Sequence, residues 1–326
     1  MRALTISDGG RLTVAERPRP EPGPGDVVVR VHGAGLNRAD LLQRKGLYPP
    51  PADAPPDIPG MEFGGTVELV GSAVDSPAVG DTVFGIVGGG AQAEYVRVRA
   101  AHCAPVPASL DPVVAGGVPE AFITAHDALC TRAGLRPGEQ VLVHAAGSGV
   151  GTAVVQLASA WNATTVGTSR QQWKLDAAKA IGLDHGVLAP SPLEPAELAA
   201  TINDRAGPCH VVIDLAGGPY LEVDLHAAAL KARIVLVGAL AGGTATFPIL
   251  VAMGKRLTVV GTMLRSRTDD EKAEATDAFA TDVGPLLDSG AITPVVADVV
   301  PLEEAERAYD LLESDATFGK VILDCR

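Results

Sequence analysis

The sequence predicts an α/β protein in which a six-stranded, doubly wound parallel sheet, covered by helices on both faces, is joined to a mostly antiparallel β domain. Three observations predict it. The first third is rich in Gly and Pro and carries short β-type runs between turn signals. From about Glu120, short apolar strands alternate with Ala/Leu-rich helical segments. One of these strands runs straight into a glycine-rich turn, Val141-Leu-Val-His-Ala-Ala-Gly-Ser-Gly-Val-Gly-Thr152, and on into an apolar helix.

In chain order, Val27–Val31, Gly65–Val70, Thr82–Val87 and Ala93–Val98 read as strands, set off by turn sequences such as Pro22-Gly-Pro-Gly25 and Gly80-Asp81. The parallel sheet takes Val141–His144, Thr164–Thr168, His185–Leu188, Val211–Leu215, Arg233–Val237 and Leu257–Gly261, with helices such as Gly151–Trp161 and Trp173–Ile181 between them. The tail supplies a strand Val295–Val300, a helix Leu302–Ser314 and a strand Lys320–Asp324. These do not easily extend the six-stranded sheet and are expected to return to the first domain. Residues 1–120, completed by 290–326, then form one domain and residues 121–289 the other.

The turn Ala146, Gly147, Ser148, Gly149, Val150, Gly151 suits a phosphate. Its glycines let backbone N–H groups approach a pyrophosphate, and the following helix aims its positive N-terminal end at the same point. Read as Gly147-x-Gly149-x-x-Thr152 or as Ala146-x-Ser148-x-x-Gly151, it keeps only part of the three-glycine dinucleotide fingerprint, and a plain strand-to-helix turn has the same pattern. Context favours a nucleotide, because the next strand ends where a ribose-contacting residue belongs. An NAD site places Asp or Glu there, whereas this chain reads Ser169-Arg170-Gln171-Gln172-Trp173-Lys174. Ser169, Arg170 and Lys174 suit a 2′-phosphate that a carboxylate would repel, which favours NADPH over NADH; the alternative is a solvated helix start carrying two cations. Gly238, in Leu236-Val-Gly-Ala-Leu240, ends another strand at the carboxyl edge, where ligands collect in such sheets.

Size and composition set bounds. A chain of 326 residues with 47% hydrophobic content is long enough for two domains with a substantial core. A formal net charge of −13 argues against general affinity for nucleic acid or anionic membranes. Cys103, Cys130, Cys209 and Cys325 lack C-x-x-C spacing, which suggests neither a disulfide framework nor a zinc knuckle and fits a reducing cytoplasm. The N-terminus turns polar at Ser7-Asp-Gly-Gly10, too soon for the apolar core of a signal peptide, and no apolar run approaches the roughly 20 residues that span a bilayer.

Further segments follow one another along nearly the whole chain: Gly35-Leu-Asn-Arg-Ala-Asp-Leu-Leu-Gln-Arg44, Gly46-Leu-Tyr-Pro-Pro-Pro51, Pro59-Gly-Met-Glu-Phe-Gly-Gly-Thr-Val67, Val79-Gly-Asp81, Gly89-Gly-Ala-Gln-Ala-Glu-Tyr95, the turn from His144 to Gly151, Gly261-Thr-Met-Leu-Arg-Ser-Arg267 and Phe318-Gly-Lys-Val-Ile-Leu323. Together they resemble the zinc-free quinone oxidoreductases of the medium-chain dehydrogenase/reductase superfamily. The nearest branch is the one containing the p53-inducible quinone oxidoreductase, which shares the Asn-Arg-Ala-Asp and Leu-Arg-Ser-Arg patterns. The resemblance implies a GroES-like catalytic domain beside a Rossmann domain. Zinc-dependent members place a Cys in the segment of Asn37 and a His at Met61; a thioether is a poor Zn²⁺ ligand, and the four-cysteine structural zinc lobe is also missing. No metal is therefore expected.

Without a Lewis acid the acceptor must take hydride readily, as quinones and conjugated carbonyls do. Tyr48, in a loop that resembles the family's cleft loop, is the first candidate for hydrogen-bond donor, the alternative being packing against Pro49–Pro51. The resemblance suggests that Asn37 bonds near the nicotinamide and that Asp40 buttresses the loop, although their spacing is also helix-cap chemistry. Thr124 resembles the threonine facing the nicotinamide, or is a simple helix residue. Phe318, Gly319 and Lys320 either close the nicotinamide end or start a strand. Arg265 is expected to approach the cofactor, and the last sheet strand to pair across a homodimer. His126, His144 and Cys130 read as structural, since no nucleophile-base-acid set surrounds them. The expected activity is NADPH-dependent hydride transfer to quinones. An enoyl or alkenal reductase and a crystallin-like binding or structural protein are the other readings, with no nucleic-acid or membrane partner in any of them.

Overall fold

Runs of β-branched residues open the chain. They form β1 (Arg2–Ser7), β2 (Arg11–Glu16), β3 (Asp26–Gly35), β4 (Glu62–Val70), β5 (Thr82–Ile86), β6 (Tyr95–Arg99) and β7 (Cys103–Pro105), with α1 (Arg38–Arg44), α2 (Pro112–Ala115) and α3 (Pro119–His126). Then come the alternating elements β8 (Gln140–Val143), α4 (Gly149–Ala160), β9 (Thr164–Ser169), α5 (Gln172–Lys179), β10 (His185–Leu188), α6 (Pro195–Ala206), β11 (Cys209–Asp214), α7 (Tyr220–Ala227), β12 (Ala228–Leu236), α8 (Ile249–Lys255) and β13 (Thr258–Gly261). The tail adds α9 (Asp269–Asp282), α10 (Gly284–Asp288), β14 (Val296–Pro301), α11 (Ala305–Glu313) and β15 (Lys320–Asp324). The computed structural model describes every residue except Asp8. It divides into two units, Met1–Ile123 with Leu264–Arg326, and Thr124–Met263.

In the second unit six parallel strands pair in the order β10-β9-β8-β11-β12-β13. This is the doubly wound Rossmann arrangement, whose order reverses beside β8. The central strands are apolar along their length because helices cover both faces: Leu142, Val166, Val212 and Ile234 are fully buried together with Leu198 and Ile202 of α6. Thr168 and Asp214 lie at the carboxyl edge, Thr168 one residue before the end of β9 and Asp214 at the end of β11.

The first unit holds a seven-stranded sheet in the order β14-β15-β3-β4-β5-β7, with β6 also on β3, and a separate β1-β2 hairpin. All its pairings are antiparallel except β14 with β15. Val27, Val29, Val31, Phe63, Val321 and Leu323 point into one core, which α11 covers with Ala308 and Tyr309. The tail strands do return to this sheet, β15 lying antiparallel to β3.

Residues 264–289, grouped by the sequence reading with the second domain, lie in the first unit. Phe279 of α9 is fully buried and meets Phe84 of β5 edge to face, ring centres 5.6 Å apart. Arg99 and His102 both reach Asp269, at 3.1 and 2.9 Å, and Ser109 Oγ donates to Leu287 O. No helix among the described residues is long and apolar enough to cross a membrane.

Phe279→Ala should therefore cost about 3–5 kcal/mol in urea unfolding, the usual loss for an emptied aromatic core site. A loss below about 1 kcal/mol would show that α9 is not anchored on β5.

Candidate functional site

The glycine-rich turn joins β8 to α4. Ser148 is the N-cap of α4 and its Oγ accepts from Gly151 N at 3.0 Å; Ser148 N donates to Ala145 O and Ala146 N to Thr168 O, both at 2.9 Å. The residue forced into the left-handed region is Ala145 (φ 53°), where glycine would have been expected. Gly151 is needed for close approach instead, since a Cβ there would lie 2.3 Å from Ala145 O. Ala146 and Gly147 are buried, whereas Ser148, Gly149 and Val150 are partly open. Gly238, half-buried after β12, is similarly tight: a Cβ would lie 2.5 Å from Leu215 O.

Behind the turn is a buried network that the sequence did not announce. His144 Nδ1 lies 2.7 Å from Thr168 Oγ1 and its Nε2 2.7 Å from Asp224 Oδ1. Desolvation pushes His144 down to about 4, so the ring is neutral at pH 7. Desolvation and the neighbouring Asp224 push Asp214 up to about 6, while its Oδ1 accepts from Ala216 N and Gly217 N at 2.8 Å. The His144 bonds tie the end of β8 to β9 and α7, and those of Asp214 fix the turn that follows β11.

At the end of β9, Ser169 is buried and its Oγ accepts from Gln171 N at 3.1 Å. Lys174 is also buried, its ammonium 5.6 Å from the Trp173 ring centre. Arg170 is the exposed member of the three, and its charge lowers the Tyr220 phenol against the rise that burial causes. No carboxylate closes this corner from within 169–174. Thr124 is buried on α3.

The first unit gathers Asn37, Tyr48, Arg265 and Lys320 around acids. Lys320 is 6% exposed, and its ammonium donates to Leu36 O (2.7 Å), Asn37 Oδ1 (2.7 Å) and Glu62 Oε1 (2.6 Å). Gly319 turns the chain for it at φ 89°, where a Cβ would meet Val295 O at 2.2 Å; Phe318 before it is half-buried. Glu62 is fully buried and also accepts from Asn37 Nδ2 at 2.9 Å and, through Oε2, from Glu120 N at 2.9 Å. Asn37 N-caps α1 in a capping box with Asp40, whose Oδ2 accepts Asn37 N at 2.8 Å. Desolvation pushes Asp40 up to about 6, opposed by bonds from the Asn37 and Gly60 amides and by the charges of Lys320 and Arg265.

Arg265 continues the network. It donates to Gln43 Oε1 (2.7 Å), Gly88 O (2.8 Å) and Tyr48 O (3.5 Å), and its guanidinium stands 4.9 Å from the Tyr48 ring centre. Burial raises the Tyr48 phenol, Arg265 opposes that, and Glu120 adds to it. Sequence reasoning misses Glu62, Gln43, Glu120, Asp214 and Asp224. The one signal, an acid inside an apolar run, is given by Glu62 and Asp214, in Gly60-Met-Glu-Phe-Gly64 and Val211-Val-Ile-Asp214.

Comparison with known proteins agrees with this architecture. Residues 23–108 match the family model described as alcohol dehydrogenase GroES-like domain, and residues 149–281 match the one described as zinc-binding dehydrogenase. The quinone oxidoreductase of Rattus norvegicus is 31% identical over 99% of this chain and 97% of its own length. The pikromycin polyketide synthase component PikAII of Streptomyces venezuelae is 35% identical over 73% of this chain, a match that spans 6% of that protein. The quinone oxidoreductase of Thermus thermophilus, whose structures include its complex with NADPH, superposes with a TM-score of 0.84 at 33% identity, covering 99% of this chain and 100% of that one. Fold and matches place the chain in the medium-chain dehydrogenase/reductase superfamily. Within it, the chain belongs to the quinone oxidoreductase-like family.

Lys320→Met leaves Glu62 buried without its cation and should cost about 3–5 kcal/mol by chemical denaturation. Combining it with Glu62→Gln should recover part of that loss, and a purely additive double mutant would refute the pairing.

Proposed function

We propose that this protein is an NADPH-dependent oxidoreductase that transfers hydride to quinones or quinone-like conjugated carbonyls without zinc. The observation that carries the reading is Lys320: its ammonium already occupies the Asn37 and Glu62 oxygens that a metal would need, beside a Met61 that offers only a thioether. With that ammonium saturated, the Tyr48 phenol is the donor left for the acceptor, which favours acceptors whose conjugation delocalises the incoming charge.

The cofactor fits the residues present. The Ala146 to Gly151 turn and the N-terminus of α4 would hold the pyrophosphate, with Gly238 nearby, and the carboxylate-free corner of Ser169, Arg170 and Lys174 would take the 2′-phosphate. When bound, NADPH supplies a hydride from C4 of its nicotinamide. Asn37, Thr124, Phe318, Gly319 and Lys320 are assigned to the nicotinamide end, and Arg265 to orienting Tyr48. Tyr48 donates its phenol proton to the oxygen on which charge develops. The polyketide synthase match favours a second acceptor class, the conjugated aldehydes and enoyl thioesters, which the same phenol would serve. The exposed Ile249, Leu250 and Met253 of α8 and the edge position of β13 support a homodimer, and the four free cysteines favour assignment to the cytoplasm.

A steady-state panel of NADPH and NADH against quinones, enones, alkenals and enoyl thioesters tests the reading, and turnover of none of them would end it. Arg170→Ala should raise KM for NADPH about 10-fold or more, the value of one charge-assisted hydrogen bond, and leave KM for NADH nearly unchanged. Equal effects on both coenzymes would remove Arg170 from phosphate recognition. Tyr48→Phe should lower kcat about 100-fold with little change in KM, as for loss of one oxyanion donor; an unchanged kcat would leave Tyr48 a packing residue.

A further inference from the structure

We propose a second ligand site in the first unit: a cavity lined by β6 and the start of α9 that takes an organic monocarboxylate with an apolar body, its carboxylate paired with Lys272. The inference is independent of the reductase reading. Asn37, Tyr48, Glu62, Arg265 and Lys320 are not among the lining residues, and the cavity meets their network at Gly88, whose carbonyl accepts from Arg265.

Strand β6 gives the cavity its charged wall. Val96 and Val98 turn into the core, so the period of two along the strand sets Tyr95, Arg97 and Arg99 on the other face. Helix α9 adds Asp269 and Lys272 to the lining. The helix start is fixed there: Thr268 and Glu271 form a capping box, and Lys272 N donates to Thr268 O at 3.0 Å. Arg99 Nε donates to Asp269 Oδ2 at 3.1 Å, and His102 Nε2 donates to Asp269 O at 2.9 Å. The enclosed volume of about 480 Å³ falls within the usual range of small-molecule pockets, roughly 300–1,000 Å³.

The cations of this cavity are unequally spent. Arg97 lies 3.6 Å from Asp26, Arg99 lies 3.5 Å from Asp26 and 3.1 Å from Asp269, and Arg17 lies 2.8 Å from Asp57. Lys272 is 7% exposed, and its ammonium makes neither a hydrogen bond nor an ion pair among the described residues. A lysine buried to this degree is ordinarily paired, and here the place of its partner is the cavity. Of the lining carboxylates, Asp26 and Asp269 are engaged by Arg99, and Asp53 is exposed on its loop. Desolvation holds the His102 imidazole below its usual range, so it adds no cation at neutral pH. Arg17, Arg97, Arg99 and Lys272 therefore face three carboxylates, and one negative charge completes the set.

The rest of the lining selects the body of the ligand. Pro18, Pro20, Pro55, Ile58 and Val87 offer apolar surface, and Tyr95 offers an aromatic ring. An inorganic anion leaves that surface in water, whereas a carboxylate on an aryl or alkyl chain covers it. A single unpaired ammonium also matches one carboxylate better than a doubly charged phosphate.

The test uses the full chain without coenzyme and 4-phenylbutyrate as the probe. Isothermal titration calorimetry should show saturable one-site binding that weakens as salt is added. Lys272→Met, which keeps the aliphatic stem, should raise Kd about 10-fold or more, the value of one charge-assisted hydrogen bond, and Lys272→Arg should recover part of the affinity. The uncharged 4-phenylbutyramide and inorganic phosphate should each bind at least about 10-fold more weakly than the acid, and NADP⁺ should not displace it. Should the Met variant not fold, Arg97→Gln, at an exposed position of β6, is the reporter and should weaken binding about 3-fold. The proposal is overturned by an unchanged Kd in Lys272→Met, or in Arg97→Gln where that stands in for it. It is equally overturned by displacement with NADP⁺, by the amide or phosphate binding as well as the acid, or by no binding at about 10 mM probe.

Discussion

A carboxylate buried to zero exposure needs a cation and a full set of donors, and Glu62 has both. Its partner Lys320 comes from the last strand, 258 positions away, and all three ammonium hydrogens find acceptors. Much of the first unit is placed by this pair. It locks β15 against the segment that follows β3 and fixes Asn37, which caps α1. Helix α1 then presents Asp40 and Gln43, and Gln43 holds Arg265 against Tyr48. Geometry at the candidate donor is thus set through a chain of bonded groups and is not left to a loop alone. The surrounding Val27, Phe63 and Val321 core supplies the low dielectric that makes each link count.

The second unit solves a parallel problem differently. Its turn must expose backbone amides at a helix start, which leaves little side-chain mass to hold the turn in shape. His144, Thr168, Asp214 and Asp224 supply rigidity from beneath, with every one of them buried. A neutral imidazole suits this place: it can donate from one nitrogen and accept at the other without introducing a charge behind a phosphate cradle. The strained Ala145 is tolerated because the bonds of His144 N to Ile213 O and of Ala146 N to Thr168 O fix the backbone on either side.

The parallel sheet is legible in the sequence because its strands are continuous apolar runs separated by helices, and the tail strands because they have no place in that sheet. The hairpin strand Arg11–Glu16 is harder to see, since its residues are half-exposed and alternate weakly. Helix α9 gives no sign in the sequence of the unit it covers, because Asp-Asp-Glu-Lys-Ala-Glu-Ala-Thr-Asp-Ala-Phe-Ala-Thr-Asp looks like any solvated helix, and only Phe279 shows its packing. Tyr48, Asn37 and Arg265 can be picked out by motif, and the structure brings them into one network. The acids between them cannot, because a buried charge is recognised by its partner, and the partners of Glu62 and Asp40 lie on elements far apart in sequence. Lys320 illustrates the limit: the sequence shows a cation after a glycine turn but not that its ammonium points inward to Asn37 and Glu62.

Charge counting across this network gives the last step. Three carboxyl groups, Asp40, Glu62 and Glu120, face two permanent cations, Lys320 and Arg265. Were all three acids ionised, the cluster would carry a net negative charge in a poorly solvated place, which favours retaining one proton at neutral pH. Hydrogen bonds decide where it resides. Glu62 accepts from Lys320, Asn37 and the Glu120 amide, and Asp40 from Asn37 N, Gly60 N and Gln92 Nε2, and the Asn37 and Gly60 bonds oppose the rise that burial gives Asp40. Glu120 accepts none of these donors and is the group pushed furthest, to about 8 against about 6 for Asp40. The network therefore carries its most strongly raised carboxyl at the start of α3, at a partly exposed position.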